Sequence, residues 1–294
     1  MSPGSSETSL LATPERSGSR AGRPRYRARV TSTGAGPLLR EWRGRRRRSQ
    51  MDLALEVGVS PKHLSFVETG RSRPSPELLL TLARHLDVPL RERNSLLLAA
   101  GYAPRYHETA IDDPASQHVR ASLERLLQTH DPYPGVVLNR RWDIVLANAA
   151  ATRMVAAVPP ELMTPVANVF RFSLHPDGVA AFTLNFDEWA YYLVSQLRRL
   201  VLSTGDSDLA ALEAEVCAYP NVAGLLDRVA PDDTEPHLLV PCRLLVGDVE
   251  LSLFTTLTTF GTPRDITLDE LAVELFFPAD EATETILRQS TEPA

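Results

Sequence analysis

The stretch Gly58–Ser75, GVSPKHLSFVETGRSRPS, reads as two helix starts separated by a Gly-Arg turn. Ser60-Pro61 and Ser75-Pro76 each put a side-chain acceptor directly before a proline. The serine oxygen takes one of the unpaired N–H groups of the first turn, and proline supplies the helical φ without a donor to waste. Leu64 and Val67 share one face of the intervening helix, which Gly70 closes. Just upstream, Ser49 caps QMDLALEVG, where Leu53, Ala54 and Val57 fall on one face and Gly58 is the stop. Only Gly58-Val59-Ser60 separate these two helices, the joint length of a helix-turn-helix.

The same pattern extends in both directions. Pro37 can open a helix carrying Leu38, Leu39 and Trp42. Downstream, SPELLLTLARHLDVP lays Leu78, Leu79, Leu82 and Leu86 inwards, and LRERNSLLLAAGY follows Pro89. The expectation is a compact all-α module of five helices over residues 36–104. Ala54 belongs where the second and third helix axes cross, because a larger side chain would push them apart.

That geometry presents the amino end of the third helix to a DNA major groove while the second lies across the backbone. Gln50, opening the second helix, can bond a phosphate through its side chain and a helix-end amide. Lys62, His63 and Phe66 face outwards near the start of the third helix, where base edges are their targets. Structural alternatives stand beside these readings. Glu68 can form a salt bridge within the module, Phe66 can pack on the fourth helix, and Arg45–Arg48 can be a solvated face or a phosphate contact.

The stretch Ser49–Pro74 resembles the lambda-repressor/Cro-like (XRE) transcription regulators. Gln50, Leu53-Ala54, Gly58, Ser60, Leu64, Glu68, Gly70 and Arg71 fall at that family's spacing together. The resemblance implies that Gln50 and Arg71 clamp phosphates and that Ser60, Lys62, Ser65 and Phe66 face bases. Phe66 departs from the polar residue many relatives carry there.

Charge separates the module from the rest of the 294-residue chain, whose net charge is -6. Residues 1–110 hold 19 basic and 10 acidic side chains, a net +9, and the remainder holds 12 and 27, a net -15. A polyanion partner therefore belongs to the front part. Residues 1–35, rich in Ser, Gly, Pro and Arg, are expected to be a disordered basic leader, with Arg20–Val30 able to touch phosphates or a minor groove. No apolar run approaches the roughly 18 residues of a membrane span, and the start lacks a secretory pattern. The cysteines, Cys217 and Cys242, form neither a disulfide framework nor a zinc pattern, which suits a reducing cytoplasm.

The second region, taken as 115–280 with a tail at 281–294, follows an acidic linker. SQHVRASLERLLQTHDPYPG is an amphipathic helix. Strands are expected at Val136–Leu138 and Trp142–Ala147, with Asn148 capping a helix behind them. EWAYYLVSQLRRLVL and DLAALEAEVCAYP read as helices. HLLVPCRLLVG and VELSLFTTLTTFG read as strands meeting at Gly247-Asp248, and LAVELFFPAD as a fifth strand. The unit is similar to a PAS domain, an α+β sensor fold with a central antiparallel sheet and helices over one face.

With the front module, the motifs HLSFVETGRSRPS, PLRERNSLLLAAGY, VVLNRRWDIVLANAAA, FRFSLHPDG and LTTFGTPRDITLDEL occur in the order of the MmyB-like regulators, from about Gly36 to Pro278. The resemblance implies a dimeric bacterial DNA-binding regulator whose PAS-like pocket holds a fatty acid. Val136, Leu138, Ile144, Leu146, Leu251, Leu253 and Phe254 suit an apolar pocket and equally a plain core. A carboxylate head would need cations or donors, for which Arg153, Arg171, His175 and Asn148 are the candidates; a turn role for His175 and a capping role for Asn148 are the alternatives. No GxSxG, P-loop or HExxH motif points to an enzyme, and no motif requires a cofactor. Two alternatives stay open: haem ligated by His175 or His237, and a ligand-free second domain for dimerisation or partner docking.

Overall fold

The computed structural model describes residues 34–228 and 239–289. The basic leader up to residue 33, His237 and residues 290–294 lie outside the described residues.

Five helices build the front module: α1 (Ala35–Arg45), α2 (Gln50–Val57), α3 (Pro61–Glu68), α4 (Pro76–His85) and α5 (Leu90–Ala99). Ser49, Ser60 and Ser75 cap α2, α3 and α4 by accepting the backbone N–H groups of Asp52, His63 and Leu78. Gly58 ends α2 in the left-handed region at φ 77°, which suits a residue without Cβ. Leu39, Trp42, Leu53, Ala54, Leu64, Val67, Leu82 and Leu86 form one buried core. Helix α1 starts two residues before Pro37 and runs so close to α3 that a Cβ on Gly36 would lie 2.3 Å from the Val67 carbonyl oxygen.

The acidic linker is docked. Asn94 of α5, almost fully buried, donates to the Tyr106 carbonyl at 2.8 Å and accepts from the backbone N–H groups of Arg105 and Tyr106. Thr109 then donates its hydroxyl to Asp265 at 2.7 Å.

The second domain is an α+β unit around a five-stranded antiparallel sheet. Its elements are α6 (Gln117–His130), β1 (Gly135–Leu138), β2 (Ile144–Ala147), α7 (Ala149–Met154), α8 (Val169–Leu174), α9 (Phe186–Thr204), α10 (Ser207–Cys217), α11 (Leu225–Arg228), β3 (Cys242–Val246), β4 (Val249–Thr259), α12 (Ile266–Glu270), β5 (Ala272–Pro278) and α13 (Glu281–Gln289). The strand order is β2-β1-β5-β4-β3. β3 and β4 meet in a two-residue hairpin at Gly247-Asp248, with Val246 opposite Val249 and Gly247 at φ 63°.

The sheet is covered on both faces, not one. Val136, Leu138, Leu244, Leu251 and Leu253 pack with α8, α9 and α10, whereas Val137 and Val273 pack with Leu123 and Leu127 of α6 on the other side. Three further expectations change. Trp142 is not in a strand: it turns the chain at φ 65° and packs its ring 4.9 Å from that of Phe170. Leu146 faces α6, because the β1–β2 register passes from Val137 opposite Leu146 to Leu138 opposite Ile144, and this one-residue bulge reverses the facing. The expected tail from 281 holds α13, whose Leu287 is buried in the main core and whose Thr283 hydroxyl accepts the Ser252 N–H at 2.9 Å.

Candidate functional site

The outer surface of α3 and the turn after it carry a continuous strip of cation and aromatic side chains. The Lys62 ammonium lies 5.7 Å and the Arg71 guanidinium 5.9 Å from the Phe66 ring centre, so Phe66 sits half-exposed between two charges rather than packed on α4. Ser60 and Lys62 are exposed, and His63 and Ser65 half-exposed, on the same short helix. The Ser60 oxygen is occupied as a cap, which leaves its hydroxyl proton free to donate.

Gln50 is placed differently from the expectation. Its amide donates to Glu68 Oε2 at 2.7 Å, and Glu68, with no side-chain exposure, also receives Arg43 Nε at 2.7 Å and Nη2 at 2.9 Å. The bidentate hydrogen bond to Glu68 raises the Arg43 pKa. Glu68 is thus the internal salt bridge, and Gln50 keeps only its second amide N–H and the helix end for any other acceptor. Most of the Arg45–Arg48 run is also committed: Arg45 to Glu41, Arg46 to the carbonyls of Leu86 and Asp87, and Arg48 to Glu56. Arg47 is exposed at φ 51°.

The second domain encloses an apolar cavity of about 170 Å³ between the sheet and its helices. Its walls are Val136, Ile144, Leu244 and Leu253 from the sheet, Ala151 and Val155 near α7, Val169 and Phe172 of α8, and Trp189 and Leu193 of α9. An apolar space of about 150 Å³ is enough to hold a benzene-sized molecule. Of the residues expected to line such a pocket, Val136, Ile144 and Leu253 do so. Leu138 is core, Leu251 borders a neighbouring groove, and Phe254 points to the other face, where it stacks on Phe277 at 5.4 Å.

None of the four candidate head-group ligands reaches this cavity. Asn148 is buried and fully used: it accepts from Ala151 and Gly135 N–H groups and donates to the Leu127 and Tyr133 carbonyls. Arg153 is exposed beside a groove formed with Pro132, Pro134 and Ile286. Arg171 forks onto Glu215 at 2.7 and 2.8 Å outside the core, a pairing that raises the arginine pKa and lowers that of Glu215. His175 follows α8 in its turn, where Nδ1 accepts the Asp177 N–H at 3.1 Å and the ring meets Tyr219 edge-on. His175 is not among the residues that line the cavity.

The cavity does hold one ionisable carboxyl that sequence reasoning missed. Glu274 of β5 is 8% exposed and forms part of the wall, and its Oε2 has no hydrogen-bond partner among the described residues. Burial pushes its pKa up to about 7, against a hydrogen bond from Thr255 that lowers it. The signal was present in LAVELFFP: Ala272, Glu274 and Phe276 share a strand face, and a lone charge on an inward face needs a reason.

The domains meet beside the amino end of β5. Asp269 accepts the Leu90 N–H that opens α5, at 3.0 Å, and Arg91 reaches both Glu270 and Glu108.

A helix-turn-helix with an exposed recognition face, joined to an α+β domain with an internal apolar cavity, defines a DNA-binding transcription regulator with a ligand-binding domain. Comparison with family models agrees: residues 39–93 match the helix-turn-helix family, and residues 119–289, more than half of the chain, match the MmyB-like transcription regulator ligand binding domain. The chain belongs to the MmyB-like transcription regulators. No curated protein matches it.

Proposed function

We propose that this regulator binds an apolar small molecule in the cavity between the sheet and α7–α9, and that occupancy changes its affinity for an operator. The observation that carries the reading is the cavity itself, whose walls are almost wholly apolar and come from the sheet and three helices. A fatty acid is the class the resemblance implies, and the apolar walls suit its chain. The regulator acts as a homodimer in the bacterial cytoplasm, its two α3 helices about 34 Å apart on a palindromic site. Ser60, Lys62, His63, Ser65 and Phe66 meet base edges, and Gln50 and Arg71 meet phosphates. Occupancy shifts DNA binding only by the ligand's differential affinity for the two arrangements of the dimer. The route runs through β5, because Glu270 and Asp269, which hold α5, immediately precede the strand that lines the cavity.

Native mass spectrometry of the purified protein, followed by denaturing extraction, tests the ligand reading. One apolar molecule per protomer is the expected result. A dimer that is empty, and that takes up no apolar probe, would contradict it.

A further inference from the structure

A second path joins the cavity to the DNA-binding module, and it runs along α9. This helix has 19 residues, a length of about 28 Å at the ordinary rise. Trp189 and Leu193, in its first half, wall the cavity. Its last residue is followed by Gly205, which ends the helix at φ 63°. A helix clamped by core contacts slides or tilts as a body, so a shift at the cavity wall reappears at its far end.

At that far end stands a residue of the other domain. The guanidinium of Arg45, in the last turn of α1, lies directly on Gly205: a Cβ there would stand 1.8 Å from its Nη1 and 2.0 Å from its Nη2. Arg45 is held from behind as well, bonded to Glu41 and with its guanidinium 5.0 Å from the Trp42 ring centre. Trp42 is part of the core of the front module, so a push at Gly205 meets a side chain anchored in that core. The surrounding seam is charged: Arg140, from the turn between β1 and β2, bonds Asp206, and Glu92 of α5 lies within electrostatic reach of Arg45, Arg91 and Arg140. Four residues after Arg45 comes Ser49, the cap of α2, so movement of the end of α1 carries the amino end of α2 with it.

We propose that α9 is the rod through which cavity occupancy acts on the DNA-binding module, and that Arg45 is the positioning residue that receives its movement at Gly205. This rests on the reading that occupancy changes DNA affinity. The path through β5 ends on α5, whereas this one ends on α1 and α2. The two are therefore separable by where each is felt.

Hydrogen exchange read peptide by peptide on the full-length, delipidated protein, with and without decanoate, tests this beside anisotropy of a duplex selected from a random pool. In the wild type, decanoate should change exchange across residues 40–48 by about threefold or more, and the Kd for DNA by about fivefold or more. Arg45→Ala should remove the exchange change at residues 40–48 and at least halve the change in Kd, while decanoate affinity and the response of α5 persist. Gly205→Ala, which drives the guanidinium off its seat and leaves Arg45 in place, should give the same pattern in a folded protein. A purely structural role for Arg45 would lower stability and leave the decanoate response as it was. A folded Arg45→Ala or Gly205→Ala protein that keeps the full response at residues 40–48, or the full change in Kd, overturns the rod and leaves the coupling reading standing. A wild type whose DNA affinity does not respond to decanoate overturns the coupling reading, and this inference with it.

Discussion

Arg91 of α5 grips Glu270 through two hydrogen bonds of 2.6 and 2.9 Å, and Glu270 stands four residues before Glu274 in the cavity wall. The guanidinium also bonds Glu108 of the linker, so one side chain ties the DNA-binding module, the linker and the sensor together. Arg91→Ala should lower stability by about 2 kcal/mol, as expected for loss of charge-assisted hydrogen bonds in a partly buried site. Chemical denaturation should then resolve two transitions, one per domain, where the wild type shows more concerted unfolding.

Arg71→Ala should reduce the slope of log affinity against log salt by about 1, because one phosphate contact releases one counterion's worth of charge. Lys62→Ala should instead weaken binding to the specific site more than to unrelated DNA. Footprinting that shows unchanged protection by the Lys62 variant at equal concentration would remove the groove assignment.

Glu68→Ala removes the acceptor shared by Arg43 and Gln50. Because Arg43 is left partly buried without its counter-charge, the front module should lose about 3–5 kcal/mol. The loss should appear as a lower melting temperature before any DNA measurement is made.

Filling the cavity separates its role from folding. Ala167→Phe projects a ring into the wall and should cost about 1–3 kcal/mol while excluding the ligand. Native mass spectra should show the variant empty, and its DNA affinity should no longer respond to added ligand.

Glu274 also sets a pH dependence. Its pKa rises from the ordinary 4.5 to about 7 in the folded state, so between those values the folded protein binds more protons than the unfolded chain. Stability from this group is therefore complete below pH 4.5, falls as pH rises towards 7 and is flat above. A shift of that size corresponds to a loss on the order of 3 kcal/mol. Urea denaturation of wild type and Glu274→Gln across pH 5–8 should show this slope in the wild type and its removal in the variant; Glu215 and Glu284, whose pKa values are lowered by Arg171 and Arg288, lose their contributions only below the ordinary carboxylate range and are flat in this window.

The front module was legible almost residue by residue, because its information is local. Three Ser caps, two Ser-Pro starts and the Gly58 stop each act within one helical turn, and all act as expected. The sheet was legible as strands, but its facing was not. The bulge between β1 and β2 that turns Leu146 towards α6 leaves no mark in the residues themselves. The head-group candidates lie away from the cavity for a related reason. Arg171 and His175 look available in sequence, yet their partners, Glu215 and Tyr219, arrive from α10 and the turn after it. Glu274 was legible in principle, since alternation puts it on the inward face with Ala272 and Phe276, where a lone carboxyl is out of place.

The central claim is that cavity occupancy and DNA binding are coupled. It is tested most directly by fluorescence anisotropy of a duplex selected by the protein from a random pool, titrated with protein before and after denaturing extraction and refolding, and again after the extracted material is returned. The account predicts at least a fivefold change in Kd on extraction, the lower end of ordinary coupling between sites, and its reversal on return. The same Kd in all three titrations would contradict it.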